Sequence, residues 1–186
     1  MLIIGAGGLG LWAIQIAKAI YPEIHLIVAD ISESKFELAK IYGADETVLW
    51  KISAEPSENA EAILKNGGAD AVADFCGNGP TATTGLKCVS PNGAVVIVGL
   101  AGGKSNVDLR GLVYSSISIG GNCTLTFKDL SEVMRLVAQG KVKYPGCIYF
   151  QFEELNEALA KLKKGEMTGR GIIDFNNNFM KNGISA

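Results

Sequence analysis

The sequence predicts an α/β protein built on a doubly wound, six-stranded parallel sheet. Three observations carry that prediction. Short apolar runs of strand type alternate with helical patterns from Leu2 to Ala138, which is the signature of βαβ units. The connections between them are short and rich in Gly, Pro and Asn. The first apolar run leads straight into a glycine-rich turn in which Gly5, Gly7 and Gly10 fit G-x-G-x-x-G, with Asp30 twenty residues after Gly10 at the end of the second run. Strand, glycine turn, helix and acid at that spacing read together as a dinucleotide-binding turn.

Each element has its own reason. Residues 2–4 form a strand that is apolar on both faces because helices cover both sides of the sheet. Gly5 permits the sharp turn, Gly7 a close approach to a pyrophosphate, and Gly10 close packing of the next helix. That helix spans 8–20, its positive end aimed at the phosphates, with Leu9, Ala13, Ile16, Ala17 and Ile20 expected against the sheet. A strand over 25–29 is followed by a helix running to Tyr42, N-capped by Ser32 and stopped by Gly43. Strand 47–50 completes the first half. Helix 57–65 ends at Gly67 and Gly68, and strand 71–75 and helix 81–89 follow.

Pro91, Asn92 and Gly93 make a turn into strand 94–98, Gly102 and Gly103 mark a loop, and 117–120 reads as the sixth strand. Helix 130–138, stopped by Gly140, closes a Rossmann-type domain over 1–140 with expected strand order 3-2-1-4-5-6. A tail over 141–176 then carries a strand (147–152), a helix (153–164) and a strand (171–175), while 177–186 is polar and expected to be disordered.

Composition narrows the function. With 186 residues, 48% hydrophobic and 19% charged, the chain is long enough for a real core and reads as a water-soluble protein. A net charge of −2 supplies no basic field for nucleic acid or an anionic membrane. Lys161, Lys163 and Lys164 sit at the end of a predicted helix, where cations suit the dipole. The apolar stretch 2–20 lacks the basic start and cleavage site of a signal peptide, and its glycines argue against a membrane span. Cys76, Cys88, Cys123 and Cys147 show neither disulfide-framework nor zinc-finger spacing, so reduced thiols in a cytoplasmic protein are expected. His25, the one histidine, sits at the start of the second strand and reads as structural.

Nearly the whole chain resembles one family, the medium-chain dehydrogenase/reductases, and within it the zinc-type alcohol and polyol dehydrogenases. IIGAGGLGLWAIQIA (3–17) is similar to the family's coenzyme turn and helix. Asp30, Lys35 and Gly43-Ala44-Asp45 resemble its acid, lysine and helix-ending GAD. DAVADFCG (70–77) and GAVVIVG (93–99) resemble its fourth and fifth strands, and the G-x-x-x-G-R from Gly165 to Arg170 its C-terminal tail.

The resemblance implies NAD as cofactor, with no catalytic residue and no metal ligand in this chain. Gly5, Gly7, Gly8, Leu9 and Gly10 would form the phosphate turn. Asp30, with Ile31 beside it, would accept from the adenosine ribose hydroxyls and repel a 2′-phosphate, and Lys35 would reach the same ribose. Phe75, Cys76 and Gly77 would line the adenosine side, and Val98, Gly99 and Leu100 the nicotinamide side. Ile119 would bind the carboxamide through its backbone, and Arg170 would pair with the pyrophosphate. Nothing near Cys76 in sequence would lower its pKa, so it is not expected to be a nucleophile.

The family's members place an N-terminal catalytic domain, with zinc ligands, proton relay and substrate pocket, ahead of this turn; here the turn is at residue 5. The expected reading is therefore the NAD-binding part of such a dehydrogenase, a truncated form inactive by itself, with zinc only in the missing domain. Without that domain the tail strands are expected to lack partners. The alternative is a stand-alone NAD(H)-binding, redox-sensing homodimer. A methyltransferase using S-adenosylmethionine shares the turn and the acid but not the tail motif or the match at Val98, Gly99 and Leu100. Family members pair two sheets through the sixth strand, so SISIGG, from Ser116 to Gly121, is expected to be a homodimer edge.

Overall fold

The computed structural model describes residues 1–167 and 169–175, so the expectation for 177–186 lies outside the described residues. The elements run β1 (Leu2–Ile4), α1 (Gly8–Ile20), β2 (Ile27–Asp30), α2 (Phe36–Ile41), β3 (Glu46–Leu49), α3 (Pro56–Leu64), β4 (Ala69–Asp74) and α4 (Gly79–Cys88). They continue with β5 (Val89–Ile97), α5 (Leu109–Ser115), β6 (Ser118–Gly121), α6 (Phe127–Ala138), β7 (Cys147–Gln151), α7 (Leu155–Lys164) and β8 (Arg170–Asp174). Six parallel strands lie in the order β3-β2-β1-β4-β5-β6, as the sequence predicts. Ile4 pairs with Ala29 on one side and Asp74 on the other, which gathers the carboxyl ends of β1, β2 and β4 at one edge.

Side chains alternate across β1. Leu2 and Ile4 join Ile27, Ala29, Ile63, Val72 and Val95 on one face, whereas Ile3 joins Leu11, Ile14, Leu26 and Val28 on the other. All three β1 residues are buried, as a doubly covered strand requires.

The expected core face of α1 is corrected at Leu9, Ile16 and Ile20, whereas Ala13 and Ala17 do pack against the core. Gly10, Leu11, Ile14 and Gln15 are its buried residues, while Leu9 and Ile20 are 46% and 51% exposed and Ala13, Ile16 and Ala17 are half-buried. The helix is apolar around most of its circumference, so periodicity allows more than one stripe. Close backbone contact chooses between them: a Cβ on Gly10 would overlap the Gly5 carbonyl oxygen. Gln15, polar yet buried, clasps the segment after α6, its Nε2 donating to Lys143 O at 2.9 Å and its Oε1 accepting from Lys143 N at 2.8 Å.

Other differences are local. Ser32 does not cap α2; its hydroxyl meets that of Ser34 at 2.8 Å, and a 3-10 turn, Glu33–Lys35, comes first. The expected Pro91-Asn92-Gly93 turn is a bulge inside β5, with Asn92 at φ 64° and the register on β4 shifting between Ala69 and Ala71. Helix α5 goes unpredicted because it buries no residue and so carries no core-facing stripe. The tail strands do find a partner: β7 and β8 pair in parallel from Cys147↔Arg170 to Gln151↔Asp174. Each supplies the other's ladder, with α7 as the crossover and Phe150 and Ala158 buried.

Replacing Ile14 by Ala is expected to cost about 2–5 kcal/mol of stability, as for a buried aliphatic. Ile20→Ala is expected to change it by only about 0.5 kcal/mol. Urea unfolding of the two variants checks the assignment, and the reverse ranking would restore the face predicted from periodicity.

Candidate dinucleotide site

The glycine turn is built from three different restrictions. Gly5, at φ 95°, donates its N–H to Ala29 O at 2.8 Å, and a Cβ there would meet Cys76 Sγ at 2.8 Å. Gly10 has no room for a side chain at all. Gly7, the N-cap residue of α1, has nothing within 4 Å of where its Cβ would lie, so the outer face of the turn is open. The first turn of α1 carries no acidic side chain, which leaves its N–H groups and dipole free to favour an anion. Arg170, the first residue of β8, stands over this end, its Nε 3.0 Å from a Cβ built on Gly8.

Asp30 ends β2 and is 6% exposed. Its Oδ2 accepts from Ala6 N at 2.7 Å and its Oδ1 from Ser32 N at 2.9 Å, while Lys35 Nζ is 3.1 Å from both oxygens. These contacts fill the carboxylate's roughly four acceptor positions. Any further donor to Asp30 has to displace the Lys35 ammonium, which a long flexible side chain allows.

A cleft of about 500 Å³ runs past these groups. Gly5, Gly7, Gly8, Leu9, Gly10, Asp30, Lys35, Phe75 and Cys76 line one side, and Leu159, Leu162, Met167 and Arg170 the other. The remaining expected residues lie elsewhere. Ile31 lines an adjoining cavity of about 310 Å³ together with Asp30, Lys35 and Cys76. Gly77 and Gly99 sit where two backbone segments press together, a Cβ on Gly77 overlapping Gly99 and one on Gly99 overlapping Cys76, and Val98 N and Gly99 N donate to Asp74 O at 2.8 and 3.0 Å. Leu100 is 88% exposed, and Ile119 sits on β6 opposite Val95. Gly77, Val98, Gly99, Leu100 and Ile119 border neither the cleft nor the adjoining cavity.

Sequence reading missed Asp74. It is fully buried, with Oδ1 accepting from Cys76 N and Gly77 N at 2.9 Å each and Oδ2 from Thr81 Oγ1 at 2.7 Å. The signal was present: β2 ends in Val-Ala-Asp and so does β4. The Leu155, Leu159, Leu162 stripe of α7 was also missed as a cleft wall, although its helical spacing is plain. Burial pushes the Cys76 thiol up to about 11, with the Asp74 and Asp30 carboxylates adding to it, so at neutral pH it is a thiol and not a nucleophile. Among the described residues no group of three or more His, Cys, Asp or Glu could hold a metal ion.

An open glycine turn at a helix N-terminus, a cation above it and a carboxylate at the next strand end define a doubly wound dinucleotide-binding protein. The family model for zinc-binding dehydrogenases matches residues 8–139, and the chain belongs to that family. It is 35% identical over 178 residues to an NAD-dependent alcohol dehydrogenase of Sulfolobus acidocaldarius, covering 93% of this chain and 49% of that one. The crystal structure of an Aeropyrum pernix alcohol dehydrogenase superposes with a TM-score of 0.82 at 29% identity, covering 92% of this chain and 49% of that one. Acetophenone reductase of Geotrichum candidum, solved in complex with NAD, gives 0.75 at 34% identity, covering 95% and 48%. The chain spans about half the length of the curated relatives it matches.

Proposed function

We propose that this chain is the NAD(H)-binding part of a zinc-dependent alcohol or polyol dehydrogenase, an enzyme class that reversibly oxidises an alcohol to an aldehyde or ketone. The observation that carries this reading is the glycine turn tied by Ala6 N–H to a strand-end carboxylate, Asp30, under a cation, Arg170. Bound NAD supplies the hydride chemistry. The chain's residues bind and orient it: α1 and Arg170 hold the pyrophosphate, and Asp30 and Lys35 take the adenosine ribose. Phe75 and Cys76 flank the adenosine, while Val98, Gly99, Leu100 and Ile119 serve the nicotinamide end. Hydride transfer also needs a substrate within about 3–3.5 Å and a group that polarises its carbonyl. The zinc that does this in the family has no ligand set among the described residues.

The division into a cofactor domain over 1–140 and a tail over 141–176 belongs to the same proposal. So does a cytoplasmic setting, which four free cysteines suit. A homodimer through β6 is supported by its position at the sheet edge, where among the described residues it pairs only with β5 and is exposed along all four residues.

Titration with NADH followed by an alcohol-oxidation assay on the same preparation is expected to give binding without turnover; no binding, or full turnover, would overturn the reading. Asp30→Ala is expected to weaken NAD binding about ten- to hundredfold and to narrow the gap to NADP, as for a lost hydrogen bond to a charged group. Calorimetry with both dinucleotides checks this, an unchanged preference removing Asp30 from its role. Sedimentation equilibrium at micromolar concentration is expected to show a dimer, and a monomer there would refute pairing through β6.

A further inference from the structure

Trp50 directly follows β3, and its backbone N–H donates to Asp30 O at 3.0 Å, which holds the residue beside the end of β2. The side chain is in the core with Ile4, Ala29 and Ile63, and the residue is 4% exposed. Its indole Nε1 is nonetheless a buried donor with no acceptor, the only such side-chain atom among the described residues. Buried polar atoms are ordinarily bonded, and an indole N–H can only donate. The same residue lines the cavity of about 310 Å³ beside the cleft. Asp30, Lys35 and Cys76 border both spaces, so a ligand with its phosphates on the glycine turn and a ribose at Asp30 continues into that cavity. Ile31, Pro56 and Pro80 supply apolar wall, and the polar side chains beside them, Asn59, Asn78, Thr81 and Thr84, already have hydrogen-bond partners within the fold. Apolar walls and one donor seeking an acceptor suit a flat ring with unprotonated ring nitrogens.

We propose that Trp50 is a specificity-determining residue: its indole turns toward the cavity and donates its N–H to a ring nitrogen of the purine base. The proposal rests on the dinucleotide reading above. Turning the indole breaks no hydrogen bond of Nε1, because that atom has none to break. The bond to the base supplies the acceptor that the fold does not.

The test is binding of ADP-ribose and its 1-, 3- and 7-deaza-adenine analogues to the full chain and to Trp50→Phe. The wild-type chain is expected to bind one analogue about three- to tenfold more weakly than ADP-ribose, the size of one hydrogen bond. Trp50→Phe is expected to bind ADP-ribose more weakly by the same factor and to lose that discrimination. Equal weakening of all four ligands in the variant is what a packing role alone would give, and it overturns the proposal. A wild-type chain indifferent to all three analogues overturns it as well. Should Trp50→Phe fail to fold, the wild-type ranking still decides. Trp12→Phe, which leaves Trp50 as the one tryptophan, adds a second readout: its emission should respond to ADP-ribose and less to the disfavoured analogue. No binding of ADP-ribose by the wild-type chain overturns the dinucleotide reading itself, and this one with it.

Discussion

The contact on which the cofactor end of the molecule depends is between two pieces of backbone. Gly10 lies so close to the carbonyl of Gly5 that no side chain fits between them. That approach seats α1 on β1, selects Leu11 and Ile14 as its core residues, and leaves Gly7 facing open space. It also brings Ala6 N–H within 2.7 Å of the Asp30 carboxylate, coupling the turn to the neighbouring strand. Loss of this one close approach would disturb the core, the anion-facing helix end and the acid together.

Two buried carboxylates do similar work on either side of β1. Asp30 closes β2 and Asp74 closes β4; Asp74 holds two backbone N–H groups of the chain leaving its own strand, whereas Asp30 holds one from the chain leaving β2 and one from the turn after β1. A buried charge is tolerated only when hydrogen bonds replace its hydration. Asp74 meets that need with two backbone N–H groups and the Thr81 hydroxyl, Asp30 with two N–H groups and Lys35. Only Asp30 borders the cleft, and only its set includes a flexible cation that can leave. The same device is structural at one strand end and open to exchange at the other.

Much of this was legible in the sequence because the information is local. The Gly5–Gly10 spacing marks the turn, and β1 and α1 begin and end where the pattern places them. The strand order follows from parallel crossovers. What escaped is what depends on distant partners. The stripe of α1 is decided by Gly5 and by Lys143, not by its own period. Pro91-Asn92-Gly93 satisfies a turn and a bulge equally, and only the register against β4 separates them. Pairing of β7 with β8 needs the crossover through α7, which composition does not disclose. At the site, the glycines, Asp30, Lys35, Phe75, Cys76 and Arg170 converge from four stretches of sequence, whereas the unpaired indole of Trp50 has no one-dimensional signature.

The clasp between Gln15 and Lys143 joins residues 128 apart in the chain. Arg170 comes from still farther along, yet it faces the start of α1. Loop-closure entropy grows with separation, and nonlocal contacts slow folding. The wall carrying Asp30 comes from the first βαβ units, whereas the wall carrying Arg170 can dock only after the chain has closed over that distance. In entropic terms, the glycine turn is a local structure, whereas the finished cleft carries the closure cost of nearly the whole chain.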